Sequence, residues 1–267
     1  MRLLRYWDTA AGAPRWGVIE GESVRQIEGQ PYDQIKLTKS VVPLAGIKYL
    51  PPCEPTKIVC GGLNYKGHAI ETNQPIPDVS VCFLKPPSSL LAHEEPIVYP
   101  PETEQLEFEL ELAVVVKKTM RNTPPSEVND HLLGYACSND VTARDITHRA
   151  KHNLVVSKSF DTFCPVGPWV ETELDPSAID MVLKVSGKVR QHTNTDDMIF
   201  PVPVMLSYFS HIMTLHPGDL VLTGTPAGIG RMEIGETCEI TIEGIGTLRN
   251  PIVASPLRPE ARRSNRL

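Results

Sequence analysis

Apolar positions along this chain recur mostly at every second residue, in short runs bounded by Gly, Pro and Asn, the pattern of short β-strands. Near the N-terminus, WGVIEG and SVRQIEG are strand-like pieces that end in Gly-containing turns. KIVCGGLNY, VSVCFLKP, LEFELELAVVV, LVLTG and CEITIEGIGTLRNPIV extend the pattern farther along. Few segments suggest helices: NYKGHAIETN, EVNDHLLGYAC and, most clearly, VPVMLSYFSHIMTL, whose apolar residues fall near helical spacing and which PGD (217–219) ends. His216 is placed at that helix end, where a cationic ring suits the dipole. The predicted class is α+β, mainly β. A small β-rich N-terminal domain is expected over 1–52 and a larger domain over 53–255, with the Pro-rich YLPPCEPTK as a hinge. Residues 256–267, PLRPEARRSNRL, are expected to form a flexible basic tail.

One run breaks the rule that strands keep charge away from a core. In LEFELELAVVV, residues 106–116, Glu107, Glu109 and Glu111 alternate with apolar residues, so a strand would put all three on one face. Carboxylates at positions i and i+2 are roughly 6.5–7 Å apart at the backbone and can converge on one divalent cation. All-oxygen ligation suits Mg, Mn or Ca rather than zinc. The alternative is an amphipathic strand with its glutamates in water, and Glu107 is placed in that solvent-facing class. Asp140, in GYACSNDVTARD, is the candidate third ligand; the alternative there is a helix cap, with Arg144 as a salt-bridge partner.

Other residues carry possible chemistry. His68 and Glu71 in NYKGHAIET share a helix face, and a glutamate there orients a histidine for general-base work; a surface pair of no consequence is the alternative. The preceding Gly61 and Gly62 suggest a hinge for a lid. Lys158, in VVSKSFDTF, is expected to be partly buried and to need an anion, either a substrate or Asp161. LVLTGTPAGIG, residues 220–230, is neither GxxxxGK[ST] nor GxGxxG; it offers the Thr225 hydroxyl and backbone N–H groups to an anion, or is only a tight turn.

Bulk properties narrow the partners. The chain has 267 residues, 41% hydrophobic and 22% charged, an ordinary globular balance. A net charge of −6 argues against a nucleic-acid partner. No apolar run is long enough to span a membrane, and MRLLRYWDTAAG lacks the apolar core of a signal peptide. The six cysteines form no CxxC pair, which argues against a zinc cage and for free thiols in a reducing cytoplasm.

The ordered set GGLNYKGHAIE, FLKPPSSL, LEFELELAVVV, GYACSNDVTARD, KSFDTFCPVGPW, GKVRQHTNTDDMIF, PGDLVLTGTPAGIG and IEGIGTLRNPIV resembles the fumarylacetoacetate hydrolase family over roughly residues 55 to 253. The resemblance implies a mixed β-roll or sandwich with a metal site at its mouth. It implies Glu109, Glu111 and Asp140 as ligands to Mg or Mn, with Ca as a further option. His68 and Glu71 match a lid dyad that activates water, and Lys158 a lysine that steadies an enolate. Arg144, Gln191, Gly224 and Thr225 match positions beside the substrate. One departure follows the ARD motif: many members carry Gln there, where ARDITHRAKHN has Thr147 and His148. The implied substrate is a small 2-oxo acid and the implied assembly a homodimer. Because the dyad is present, the expected reaction is metal-dependent C–C hydrolysis of a 2,4-dioxo acid of the acylpyruvate or fumarylpyruvate type. The alternatives are isomerisation or decarboxylation of 2-oxo or 2-hydroxydienedioates in aromatic catabolism, or of oxaloacetate, and, from a different class, a non-catalytic metal-binding scaffold.

Overall fold

The alternating runs become strands, and those apolar on both faces become the centre of the molecule. The computed structural model describes residues 1–256. The expected basic tail lies, from residue 257 onward, outside the described residues. A twelve-stranded sheet runs in the order Leu37–Pro43, Ser23–Ile27, Ala13–Glu20, Arg2–Asp8, Cys164–Glu171, Leu132–Asn139, Leu110–Val116, Leu220–Leu222, Ile58–Gly62, Val81–Lys85. Its remaining two strands, Lys48–Tyr49 and Leu90–Leu91, pair with Arg2–Asp8 and Cys164–Glu171. A five-stranded sheet runs Lys188–Asn194, Asp180–Val185, Thr237–Ile242, Gly246–Ala254, Ile97–Tyr99, and a three-stranded one joins Thr142–Ala143, Leu106–Phe108 and Gly230–Arg231. The fold is α+β and mainly β, as the alternation predicts.

Burial explains which strands read clearly. Thr237–Ile242 keeps one face buried and alternates; Asp180–Val185 does the same, though it is not singled out in the sequence. Leu110–Val116 and Leu132–Asn139 are buried along nearly their whole length, as central strands covered on both sides must be. Between the large and five-stranded sheets, Leu112, Cys137, Met181, Leu183, Ile240 and Leu248 fill one core, which also packs Met205 and Phe209 of helix Val202–Ile212. The N-terminal strands join the large sheet edge to edge, Leu3 pairing with Val170.

Four expectations are corrected. EVNDHLLGYAC is not a helix: a 3₁₀ turn, Pro125–His131, leads into strand Leu132–Asn139, because a strand buried on both faces shows the same unbroken apolar run as a buried helix. The helix in VPVMLSYFSHIMTL stops at Ile212, before PGD, so His211 rather than His216 occupies its last turn. Gly61 and Gly62 are not a hinge. Both lie within strand Ile58–Gly62, and a Cβ on Gly61 would sit 3.0 Å from Met205 Sδ, so the glycine permits close strand–helix packing. The Pro-rich segment is likewise pinned: Glu54 pairs with Arg5 at 2.6 Å, and Cys53 is buried. Among the described residues, no helix is long and apolar enough to cross a membrane.

Asp219, just before strand Leu220–Leu222, does much of that pinning. Its buried carboxylate accepts from the Thr56 N–H at 2.8 Å, the Thr56 hydroxyl at 2.7 Å, the His216 N–H at 2.8 Å and Lys57 Nζ at 2.5 Å. Burial alone would push its pKa up; Lys57, the His216 N–H and Thr56 outweigh that and hold it below the usual value. A depressed folded-state pKa gives stability that is complete above the unfolded value, about 3.9, and is lost as pH falls through the folded value. Asp219→Asn should therefore lower stability near neutral pH by about 2 kcal/mol, read by urea unfolding. Its gap from the parent should narrow below about pH 4; an equal gap in acid and at neutral pH would contradict this.

Candidate active site

The site lies where the chain changes sheets. Glu109 occupies the break between Leu106–Phe108, in the three-stranded sheet, and Leu110–Val116, in the large one. Backbone groups freed by that break are met by side chains. The Glu109 N–H donates to Asn139 Oδ1 at 2.9 Å, and the Leu110 N–H to Gln191 Oε1 at 2.9 Å. Just past the end of the neighbouring strand Leu132–Asn139, the Asp140 N–H donates to the Glu109 carbonyl at 2.9 Å. Glu109, Glu111 and Asp140 thereby each bring a carboxylate oxygen within 4.8 Å of the others, all three residues buried.

Three cations hold these carboxylates. Lys158 Nζ lies 2.6 Å from Asp140 Oδ2 and 3.0 Å from Glu109 Oε2, and donates to Thr142 Oγ1 at 2.7 Å. Asp161 is not its partner. Arg144 pairs through Nε with Glu107 at 2.7 Å and through Nη2 with Glu109. Lys85 Nζ, fully buried, lies 2.5 Å from Asp140 Oδ1. Burial alone would raise the Glu109 pKa, but Lys158 and Arg144 outweigh it and hold the carboxyl at about 2. Burial would also strip the proton from Lys158, but Asp140 and Glu109 keep its pKa above the usual lysine value.

Glu107 is a correction. It is buried rather than solvent-facing, because Arg144 and Gln105 Nε2, at 2.6 Å, satisfy its oxygens. Counted with it, among the described residues, four buried carboxylates face three cations, one positive charge short. Glu111 shows the shortfall: burial, then Asp140 and Glu109, push its pKa well up, against the opposing pull of Lys158 and the Gly224 N–H. An all-oxygen, buried and under-neutralised triad fits a divalent cation. Glu109, Glu111 and Asp140 could coordinate one, and the local excess charge would then become positive, which suits an anionic ligand.

The remaining predicted residues surround this cluster. In helix Lys66–Glu71, His68 Nδ1 lies 2.9 Å from Glu71 Oε2, and Glu71 Oε1 accepts the Gly228 N–H at 2.9 Å. A carboxylate at Nδ1 fixes the proton there and leaves Nε2 with a lone pair. The Gly224 N–H donates to Glu111 Oε2 at 2.5 Å; at φ +95, with a Cβ that would fall 2.8 Å from Asn64 Cβ, only glycine fits. The Gln191 amide is spent internally, its Nε2 donating to Thr225 Oγ1 at 3.0 Å and to the Pro226 carbonyl at 2.9 Å. Sequence reasoning missed Lys85 and Asn139. The faint signal for Lys85 was a lone lysine closing the apolar strand VCFLK.

Comparison with known proteins agrees with this geometry. The family model "Fumarylacetoacetate (FAA) hydrolase C-terminal" matches residues 57–253, and "Rv2993c-like, N-terminal" matches residues 1–52. The chain is similar to the crystal structure of 2-hydroxyhepta-2,4-diene-1,7-dioate isomerase from Mycobacterium marinum, at 38% identity and TM-score 0.89 over 96% of this chain and 100% of that one. It is similar to maleylpyruvate hydrolase from Sphingobium sp. SYK-6, solved with manganese(II) and pyruvate, at 30% identity and TM-score 0.77 over the same shares. The human mitochondrial oxaloacetate tautomerase FAHD2B is 34% identical over 225 residues, 80% of this chain and 72% of that protein. On the matched span and these likenesses, the chain belongs to the fumarylacetoacetate hydrolase family.

Proposed function

We propose that the protein is a divalent-metal-dependent isomerase or tautomerase of a small 2-oxo acid, such as oxaloacetate or a 2-hydroxydienedioate. The observation that carries this reading is the juxtaposition of the buried carboxylate triad, the Lys158 ammonium and the His68–Glu71 pair. Those are the parts needed to move a proton next to a carbonyl. The donor set favours Mg or Mn, with Ca also within its range. Bound at Glu109, Glu111 and Asp140, the cation would supply Lewis acidity to the 2-oxo group.

The chain's own residues do the rest. His68 Nε2 takes a proton from the carbon beside the 2-oxo group, and Glu71 stabilises the resulting imidazolium. Lys158 places a positive charge where the enolate's negative charge develops. His68 then returns the proton to a different atom of the same substrate, completing an isomerisation without water. Arg144 holds Glu107 and Glu109 in place, while Gln191 braces the turn bearing Gly224 and Thr225.

C–C hydrolysis is the second reading. The specific observation in its favour is that the His68 and Glu71 side chains are 14% and 35% exposed, so water can reach the base. The same imidazole takes a proton from carbon or from water, so the dyad alone does not choose between them. Of the three relatives compared above, the isomerase at 38% and the tautomerase at 34% are more similar than the maleylpyruvate hydrolase at 30%, which supports taking proton transfer as the first reading.

An ultraviolet assay tests the choice on oxaloacetate, a 2-hydroxydienedioate and an acylpyruvate, each with Mg, with Mn and with EDTA. Metal-dependent keto–enol or double-bond shifts without pyruvate release are expected. Pyruvate formed from the acylpyruvate alone would establish the hydrolase instead. His68→Ala should cut turnover by about a hundredfold or more while leaving Mn binding intact, and unchanged turnover would remove the dyad from the mechanism. By calorimetry, Glu111→Gln should abolish Mn binding and Glu107→Gln should retain it; the reverse pattern would misplace the centre.

A further inference from the structure

Two buried lysines grip Asp140, and they do so differently. Lys158 Nζ touches Asp140 Oδ2 at 2.6 Å and Glu109 Oε2 at 3.0 Å, so it sits between two carboxylates of the triad. Lys85 Nζ touches the other oxygen, Asp140 Oδ1, at 2.5 Å, and donates to the Val141 carbonyl at 3.2 Å. Among the described residues, Asp140 is its only carboxylate partner. Lys85 is also anchored independently of the site, since strand Val81–Lys85 pairs with Ile58–Gly62 and sets Lys85 opposite Ile58.

We infer that Lys85 is a positioning residue that holds Asp140 by Oδ1 and aims Oδ2 at the other carboxylates, so that Asp140 offers one oxygen to a divalent cation. Lys158, in contrast, occupies oxygens that a cation needs, and cation binding frees its ammonium for the substrate. The inference rests on the metal reading of the triad. It gives two like-charged, buried neighbours opposite effects. Repulsion alone predicts that removing either ammonium tightens cation binding. Positioning predicts tightening only for Lys158, because loss of Lys85 leaves Asp140 unaimed, and losing a partner of this kind costs about tenfold to a hundredfold in metal affinity. A one-oxygen Asp140 also favours the small octahedral cations over Ca, whose larger sphere accepts two oxygens from one carboxylate.

The test is calorimetric titration of Mn, then Ca, into the metal-stripped full-length protein and its Lys85→Met, Lys85→Gln and Lys158→Met variants, with a melting temperature for each. Lys85→Met should weaken Mn binding about tenfold or more and move the preference towards Ca. Lys158→Met should bind Mn at least as tightly as the parent. Lys85→Gln keeps a donor near Oδ1, should fall between, and covers the case in which the methionine variant does not fold. A folded Lys85 variant that binds Mn as tightly as the parent, even with a lower melting temperature, would reduce Lys85 to a structural ion pair and overturn the inference. A parent that binds no Mn would overturn the metal reading itself.

Discussion

Carboxylates withdrawn from water must be paired, and here four of them meet where the chain crosses from the small sheet to the large one. Taking even one such group into the interior costs several kcal/mol unless charge and hydrogen bonds compensate. Lys85, Lys158 and Arg144 compensate most of it, each from a different element: an edge strand, a helix end and a helix start. The incomplete neutralisation leaves three carboxylates that could hold a divalent cation. It also dictates that those three elements stay in register with the carboxylate strand.

The turn at Gly224 and the helix bearing His68 are fastened to the same frame. Asn64, fully buried, donates to the Thr223 carbonyl at 2.8 Å and accepts the Phe200 N–H at 2.9 Å, joining the strand before the His68 helix to the strand end after it. Asp197 accepts the Gly67 N–H at 3.0 Å, and Glu71 accepts that of Gly228. Both ends of the short helix are thus tethered, and the imidazole is presented to the triad from a fixed direction. The base role proposed for His68 would need such constraint, since a base must meet a carbon or a water within hydrogen-bonding reach.

How much of this was legible follows from what each segment packs against. Half-buried strands such as Thr237–Ile242 kept their alternation and read correctly; Leu132–Asn139, buried on both faces, read as a helix. Charge spacing in LEFELELAVVV marked the unusual strand, but not that Glu107 would turn to Arg144, thirty-seven residues away, instead of water. Asp140 and Lys158 stood out from their local sequence, but alternatives such as a helix cap or an Asp161 pair stayed open until the ordered set of motifs was read. The signal for Lys85 was faint, since a lysine closing an edge strand normally guards that edge against pairing. Its partner is fifty-five residues distant, and only the fold brings them together.

Electron paramagnetic resonance of the protein loaded with one equivalent of Mn(II), before and after addition of oxalate, a planar mimic of a 2-oxo acid enolate, tests the central claim most directly. The account predicts one bound Mn per chain and a spectrum that changes when oxalate joins it, with both signals lost in Asp140→Asn. A free-ion spectrum in the parent, or a bound ion indifferent to oxalate, would contradict it.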